Sequence, residues 1–172
     1  LGNLWYNEPK TLDTAFDVIG DIVLSAASQQ YGGFTVPSVD DILEPFARKS
    51  HERLIKKYRE LGLDEETVQK VAWADLEKEM EQGFQGWEYK FNSVSSSRGD
   101  YPFITVTAGT VPSKYGKLVT MKMLEVRKKG QGKEGHRKPV LFPKIVFLYD
   151  EKLHGPGGEM EDVFEAGIDC SA

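Results

Sequence analysis

The sequence predicts an α/β protein rich in helix, and three stretches carry that expectation. Val68, Ala72, Leu76, Met80, Phe84, Trp87 and Phe91 recur in steps of four or three, the spacing of one helix face. Tyr101 to Ala108 alternates: Ile104, Val106 and Ala108 point one way, and Phe103, Thr105 and Thr107 the other. "VLFPKIVFLY", Val140 to Tyr149, is nearly continuous in large apolar residues, as a strand covered on both faces reads in a parallel sheet flanked by helices.

The chain of 172 residues suits one domain or a large piece of one, and 40% hydrophobic residues is enough for a real core. A net charge of -5 points away from nucleic-acid and membrane partners, so any anion site must be local. The single cysteine, Cys170, excludes a disulfide within the chain and leads us to expect a reducing, cytoplasmic setting. No apolar run approaches the roughly 20 residues that cross a bilayer. The opening "LGNLWYNEPK" lacks the order of a signal peptide and an initiator Met, and both ends read as cut from something longer.

Thr11 is the expected N-cap of a first helix, with Asp13 in its first turn and Leu12, Phe16, Ile19, Val23 and Ala26 on its inner face. Gly32 and Gly33 suit its end. Ser38 with Asp41 resembles a capping box after Pro37, and Pro45 suits the first turn of a new helix carrying Phe46, Leu54, Ile55, Tyr58 and Leu61. Gly62 stops it, Asp64 can cap the long helix, and residues 45 to 92 read as an antiparallel helical hairpin. The strand Tyr101 to Ala108 follows, then a helix from Lys117 to Lys129 with Leu118, Met121 and Leu124 inward. After the loop "KKGQGKEGHRK" comes the second strand, starting after Pro143, whose missing N–H weakens a ladder. Glu159 to Ala166 reads as a short helix. Two strands make no satisfied sheet, so either short strands are hidden in the sequence or further strands lie outside it.

Three groups invite a chemical reading. Ser95, Ser96, Ser97, Arg98 and Gly99 lie between a helix and a strand. A bidentate arginine with hydroxyls and free backbone N–H groups suits a phosphate, and a plain polar turn is the alternative. Gln29 and Gln30, beside Tyr31, could read and stack a nucleotide base, or simply cap the helix. In the glycine-rich basic loop, Gly130 and Gly135 have P-loop spacing, but His136 and Arg137 stand where Lys and Ser/Thr belong, so we read a solvated loop. The Arg98-Gly99-Asp100 triplet is too short to carry integrin binding. His51, His136 and His154 lack zinc-ligand spacing; His51 reads as part of a charged helix face and the other two as loop residues. Nothing in the sequence joins Cys170 to a histidine as nucleophile and base.

Taken together, "DTAFDVIGDIVLSAASQQYGGFTVPSVDDILEPF", "FQGWEYKFNSVSSSRGDYPFITVTAG", "MLEVRKKGQGKEGHRK" and "PVLFPKIVFLYDEKLHGPGGEMEDVFEAGIDCSA" resemble consecutive blocks of the anaerobic, class III ribonucleoside-triphosphate reductases. The resemblance spans nearly the whole chain in order. It implies a fragment, about half, of the ten-stranded α/β barrel of glycyl-radical enzymes. In that chemistry a C-terminal glycyl radical passes to a finger-loop cysteine, and the thiyl radical takes hydrogen from the ribose of a ribonucleoside triphosphate. A radical SAM (S-adenosylmethionine) activating enzyme makes the radical, formate or a thiol is the reductant, and a structural zinc lies elsewhere in the polypeptide.

The family's finger-loop motif, zinc cysteine pairs, radical glycine segment and ATP cone are not among these 172 residues, and the radical role is not assigned to Cys170. We therefore expect the chain to be inactive alone, needing the remaining part of the reductase. It would be a split-gene product, an intein-flanked piece or a trimmed piece. Residues 11–92 would be mainly long helices of the kind that pair in a homodimer and hold a deoxynucleotide effector, and residues 93–172 a strand–helix–strand–helix portion of the barrel. The resemblance implies substrate-phosphate contact by Ser96, Ser97, Arg98 and Gly99 and effector contact by Gln29 and Gln30. A freestanding nucleotide- or phosphate-binding or assembly module without catalysis is the alternative.

Overall fold

The computed structural model describes residues 7–93, 99 and 101–172. In chain order the elements are α1 (Leu12–Ser28), β1 (Phe34–Val36), α2 (Val39–Glu60), α3 (Glu65–Ser93), β2 (Ile104–Ala108), α4 (Lys114–Lys129), β3 (Lys144–Phe147), α5 (Glu151–His154) and α6 (Glu161–Ser171). The three strands form one parallel sheet in the order β1-β2-β3. Phe34 pairs with Ile104 and Val36 with Val106; Thr105 pairs with Lys144 and Ala108 with Phe147. The parallel pairings need long crossovers, supplied by the α2–α3 hairpin and by α4.

The stripe read from the sequence is the core. Val68, Ala72, Leu76, Met80 and Phe91 of α3 have no exposed surface, and Phe84 and Trp87 have almost none. Helix α2 packs against α3 and α4, and α1 packs against α3. Ile104, Val106 and Ala108 of β2 are buried in the same cluster, so the alternation was read in the right phase. Phe16 of α1 meets Phe84 and Trp87 edge-on, and the Trp87 indole N–H donates to the Phe16 carbonyl at 2.7 Å. Thr11 caps α1 as expected, its hydroxyl accepting from the Thr14 N–H.

One of the two alternatives left open for the sheet is met, and four expectations need correction. The hidden strand is β1, three residues long and too short to show a period. The Ser38–Asp41 capping box does not form: Ser38 is left-handed at φ 47, makes no side-chain cap bond, and gives its own N–H to Thr107 Oγ1 at 2.8 Å. Helix α2 begins at Val39, not at Pro45, which lies inside it. Burial of Val39 and Leu43 draws that first turn into the core, and the Ser38 carbonyl accepts from Asp41 and Ile42 N–H. Strand β3 is an edge among the described residues, with only Ile145 and Phe147 half-buried, so it is not covered on both faces here. It does start after Pro143, as the missing donor dictates.

The last correction concerns two histidines. His51 is buried, with Nδ1 2.8 Å from the Tyr115 hydroxyl and its ring edge-on to Trp73. His154 is also buried, at the end of α5.

Candidate functional site

In an open parallel sheet, ligands sit beyond the carboxyl ends of the strands, where the following loops converge. Here three such loops are tied together by buried polar groups. After β1 comes Asp40, the second residue of α2, with no exposed surface. Its Oδ2 accepts from the backbone N–H of Gly109 at 3.0 Å, of Thr110 at 3.1 Å and of Val111 at 3.1 Å, the residues that follow β2. Its Oδ1 is buried without a hydrogen-bond partner among the described residues. Ser38 N–H to Thr107 Oγ1 is a second tie between the same strand ends.

On the other flank, the Gly109 carbonyl is 2.5 Å from Nε2 of His154, which follows β3. A carbonyl can only accept, so Nε2 carries the proton. Nδ1 lies 2.8 Å from the Asp150 nitrogen and 3.0 Å from the Asp150 carbonyl oxygen. Phe147, Tyr149 and Phe164 surround the imidazole. Leu148 N–H donates to the Ala108 carbonyl at 2.8 Å, extending the β2–β3 pairing past the strand ends. Gly109 has φ 125, and a Cβ there would stand 3.0 Å from the Leu148 carbonyl oxygen and 3.1 Å from the Phe147 ring, so only glycine fits between the loops.

Of the residues singled out from the sequence, Gln29 and Gln30 lie elsewhere. Gln29 and Gln30 are exposed at the end of α1, before β1, and their N–H groups close the helix onto Ala26 and Ala27. They are thus on the amino side of the sheet, away from Asp40 and His154. Ser96, Ser97 and Arg98 lie outside the described residues; Gly99 is described and takes φ 83. Sequence reading missed Asp40, the Gly109–Val111 amides and His154. The signal that could have found them is chain direction: in a parallel sheet, "TAGT" follows the strand and so is a ligand-side loop.

Cys170 donates from Sγ to the Leu124 carbonyl at 3.6 Å and lines a pocket of about 320 Å³ with Leu124, Arg127, Ile145 and Phe147. Burial pushes its thiol pKa up, against the pull of Arg127 and Lys128. That favours the neutral thiol, which is a poor nucleophile. Among the described residues, no group of three or more His, Cys, Asp or Glu side chains could hold a metal ion. No described helix is long and apolar enough to cross a membrane.

A family described as anaerobic ribonucleoside-triphosphate reductase matches residues 1–172. The chain belongs to this family. It is 33% identical over 173 residues to the anaerobic ribonucleoside-triphosphate reductase of Haemophilus influenzae, covering 100% of the chain and 24% of that relative. It is 31% identical to the enzyme of the same name from Enterobacteria phage T4, again over 100% of the chain and 28% of the relative. The Escherichia coli enzyme of that name is 31% identical, with 24% of its length covered. The chain therefore spans about a quarter of the length of these reductases.

Proposed function

We propose that this chain is part of an anaerobic reductase that converts ribonucleoside triphosphates to deoxyribonucleotides by radical chemistry, and that it contributes one stretch of the enzyme's α/β barrel. The observation that carries the reading is the family match along the whole chain. The architecture supports it: a parallel sheet whose β1 and β3 are both edges among the described residues is the form expected of a barrel segment awaiting its neighbours. In this reading the long helices of residues 11–92 pair in a homodimer, and β1 joins the barrel strands that residues 93–172 supply.

The chemistry assigned to this chain is binding and positioning. The groups beyond the strand ends fix loops against the space where the nucleotide is held. Ser96, Ser97, Arg98 and Gly99 are proposed to contact the substrate's phosphates, and Gln29 and Gln30 a deoxynucleotide effector. The glycyl radical, the thiyl cysteine and the zinc belong to the rest of the polypeptide. Among the described residues no cluster of ligands for zinc occurs. The radical would come from a radical SAM activating enzyme, reducing equivalents from formate or a thiol, and the setting would be cytoplasmic.

The test is to express the complete reductase carrying this segment without oxygen, activate it with its partner enzyme, and measure deoxynucleoside triphosphate formation from each ribonucleoside triphosphate. Reductant-dependent product supports the proposal. An activated protein that binds nucleotides but forms no product would leave the non-catalytic binding module in its place.

A further inference from the structure

We infer that Asp40 is a positioning residue for the nucleotide-binding face: its carboxylate fills a nest of backbone N–H groups and so sets the shape of the loop after β2. The inference rests on the proposed reading of the strand carboxyl ends as that face. Three consecutive N–H groups converging on one point form a concavity suited to an anion. At Gly109, Thr110 and Val111 that concavity is already occupied by Asp40 Oδ2, at 3.0 to 3.1 Å from each nitrogen.

The occupant is well chosen. Asp40 stands in the first turn of α2, where the helix dipole favours negative charge. A charged acceptor makes hydrogen bonds about twice as strong as a neutral one, which suits an oxygen serving three donors. The loop is held from its other side as well, by His154 Nε2–H on the Gly109 carbonyl. With an internal anion in place, these three amides are not available to a substrate phosphate. The phosphate must be gripped by other groups, while the carboxylate keeps the loop beside it in register.

The experiment uses the complete reductase with Asp40→Ala and Asp40→Asn. A loop misplaced by about 1 Å can cost on the order of 100-fold in rate. Asp40→Ala is therefore expected to lower kcat/KM by about 10- to 100-fold with the far-ultraviolet circular dichroism unchanged. Asp40→Asn, which keeps an acceptor but not the charge, should lose only several-fold. Acetate should enter the nest vacated in Asp40→Ala, raising its Tm and restoring part of its kcat/KM, with no effect on the wild type.

A folded Asp40→Ala enzyme with wild-type kcat/KM, or one whose Tm ignores acetate, overturns the inference. Should Asp40→Ala not fold, Asp40→Asn decides: a several-fold fall in kcat/KM at unchanged Tm supports the inference, and wild-type kcat/KM overturns it. The acetate effect on Tm needs no turnover. It would survive a failure of the reductase reading, whereas a failed nest leaves wild-type nucleotide reduction intact.

Discussion

His51 Nδ1 lies 2.8 Å from the Tyr115 hydroxyl, joining α2 to α4 across 64 residues of sequence, while its Nε2 is buried with no hydrogen-bond partner among the described residues. Lys114 stands over the Tyr115 and Trp73 rings, 4.9 and 5.7 Å from their centroids. Burial first, and the Lys114 charge second, push the His51 pKa below its ordinary value, with Glu52 opposing.

That shift has a signed consequence for stability. The native state keeps His51 neutral at a pH where the unfolded chain has begun to bind a proton. Stability is thus full above the unfolded histidine pKa, near 6.5, and falls as pH drops below it. Urea unfolding of the chain between pH 8 and 5 should show this loss on the acid side. His51→Gln, whose amide can still meet Tyr115 but does not titrate, should flatten that part of the curve; an unchanged slope removes His51 as its cause.

At Gly83, α3 comes close against Phe16 of α1. A Cβ at that position would stand 2.2 Å from the Phe16 ring, which is wedged between Phe84 and Trp87. Overpacking of this kind costs about 1–3 kcal/mol, and Phe16 is 3% exposed. Gly83→Ala should therefore lower stability by about 2 kcal/mol or more, measured by denaturant midpoint. Gly86, one turn away with open space around it, is the control: Gly86→Ala should be neutral or stabilising.

Glu88 holds the end of α3 to the segment leading into β3. Its Oε1 accepts from Arg127 Nε at 2.9 Å and its Oε2 from Gln131 Nε2 at 3.0 Å, while Arg127 also donates to the Pro143 carbonyl. Glu88 is 4% exposed. Removing one partner of a buried pair leaves the other charge uncompensated, at a cost of about 3–5 kcal/mol. Glu88→Ala should lose about that much, and Glu88→Gln, which can still accept from Arg127, clearly less. Equal losses for the two variants would mean that charge is not what matters there.

How legible all this was follows from where the information sits. Helices α1 and α3 were readable because their caps and stripes are local in sequence. Strand β1 was not, because three residues show no period and their pairing with β2 is 70 positions away. The apolar run at Val140–Tyr149 announced a strand correctly, but it said nothing about where the neighbours lie: Leu141 is 77% and Tyr149 54% exposed. His51 sits among Lys49, Glu52 and Arg53 and so reads as surface, yet its aromatic partners come from α3 and α4. Asp40 and Asp41 are the same letter side by side; one is fully buried in a backbone nest and the other is exposed. Only the fold separates them.

The proposed phosphate contact makes the last prediction. An arginine meets a phosphate through two parallel N–H groups, and a hydrogen bond to a charged group contributes about 1.5–3 kcal/mol. In the complete reductase, Arg98→Ala should weaken triphosphate binding by roughly 10- to 150-fold in titration calorimetry. Arg98→Lys keeps the charge but loses the fork, so it should recover only part of the affinity. Ser96→Ala and Ser97→Ala remove single neutral bonds of about 0.5–1.5 kcal/mol and should each cost roughly two- to twelvefold. Gln29→Ala with Gln30→Ala, at the end of α1, should leave substrate affinity alone and weaken the proposed deoxynucleotide effector instead. Unchanged substrate affinity in Arg98→Ala would take the whole turn out of the binding site and leave it as a polar connection between α3 and β2.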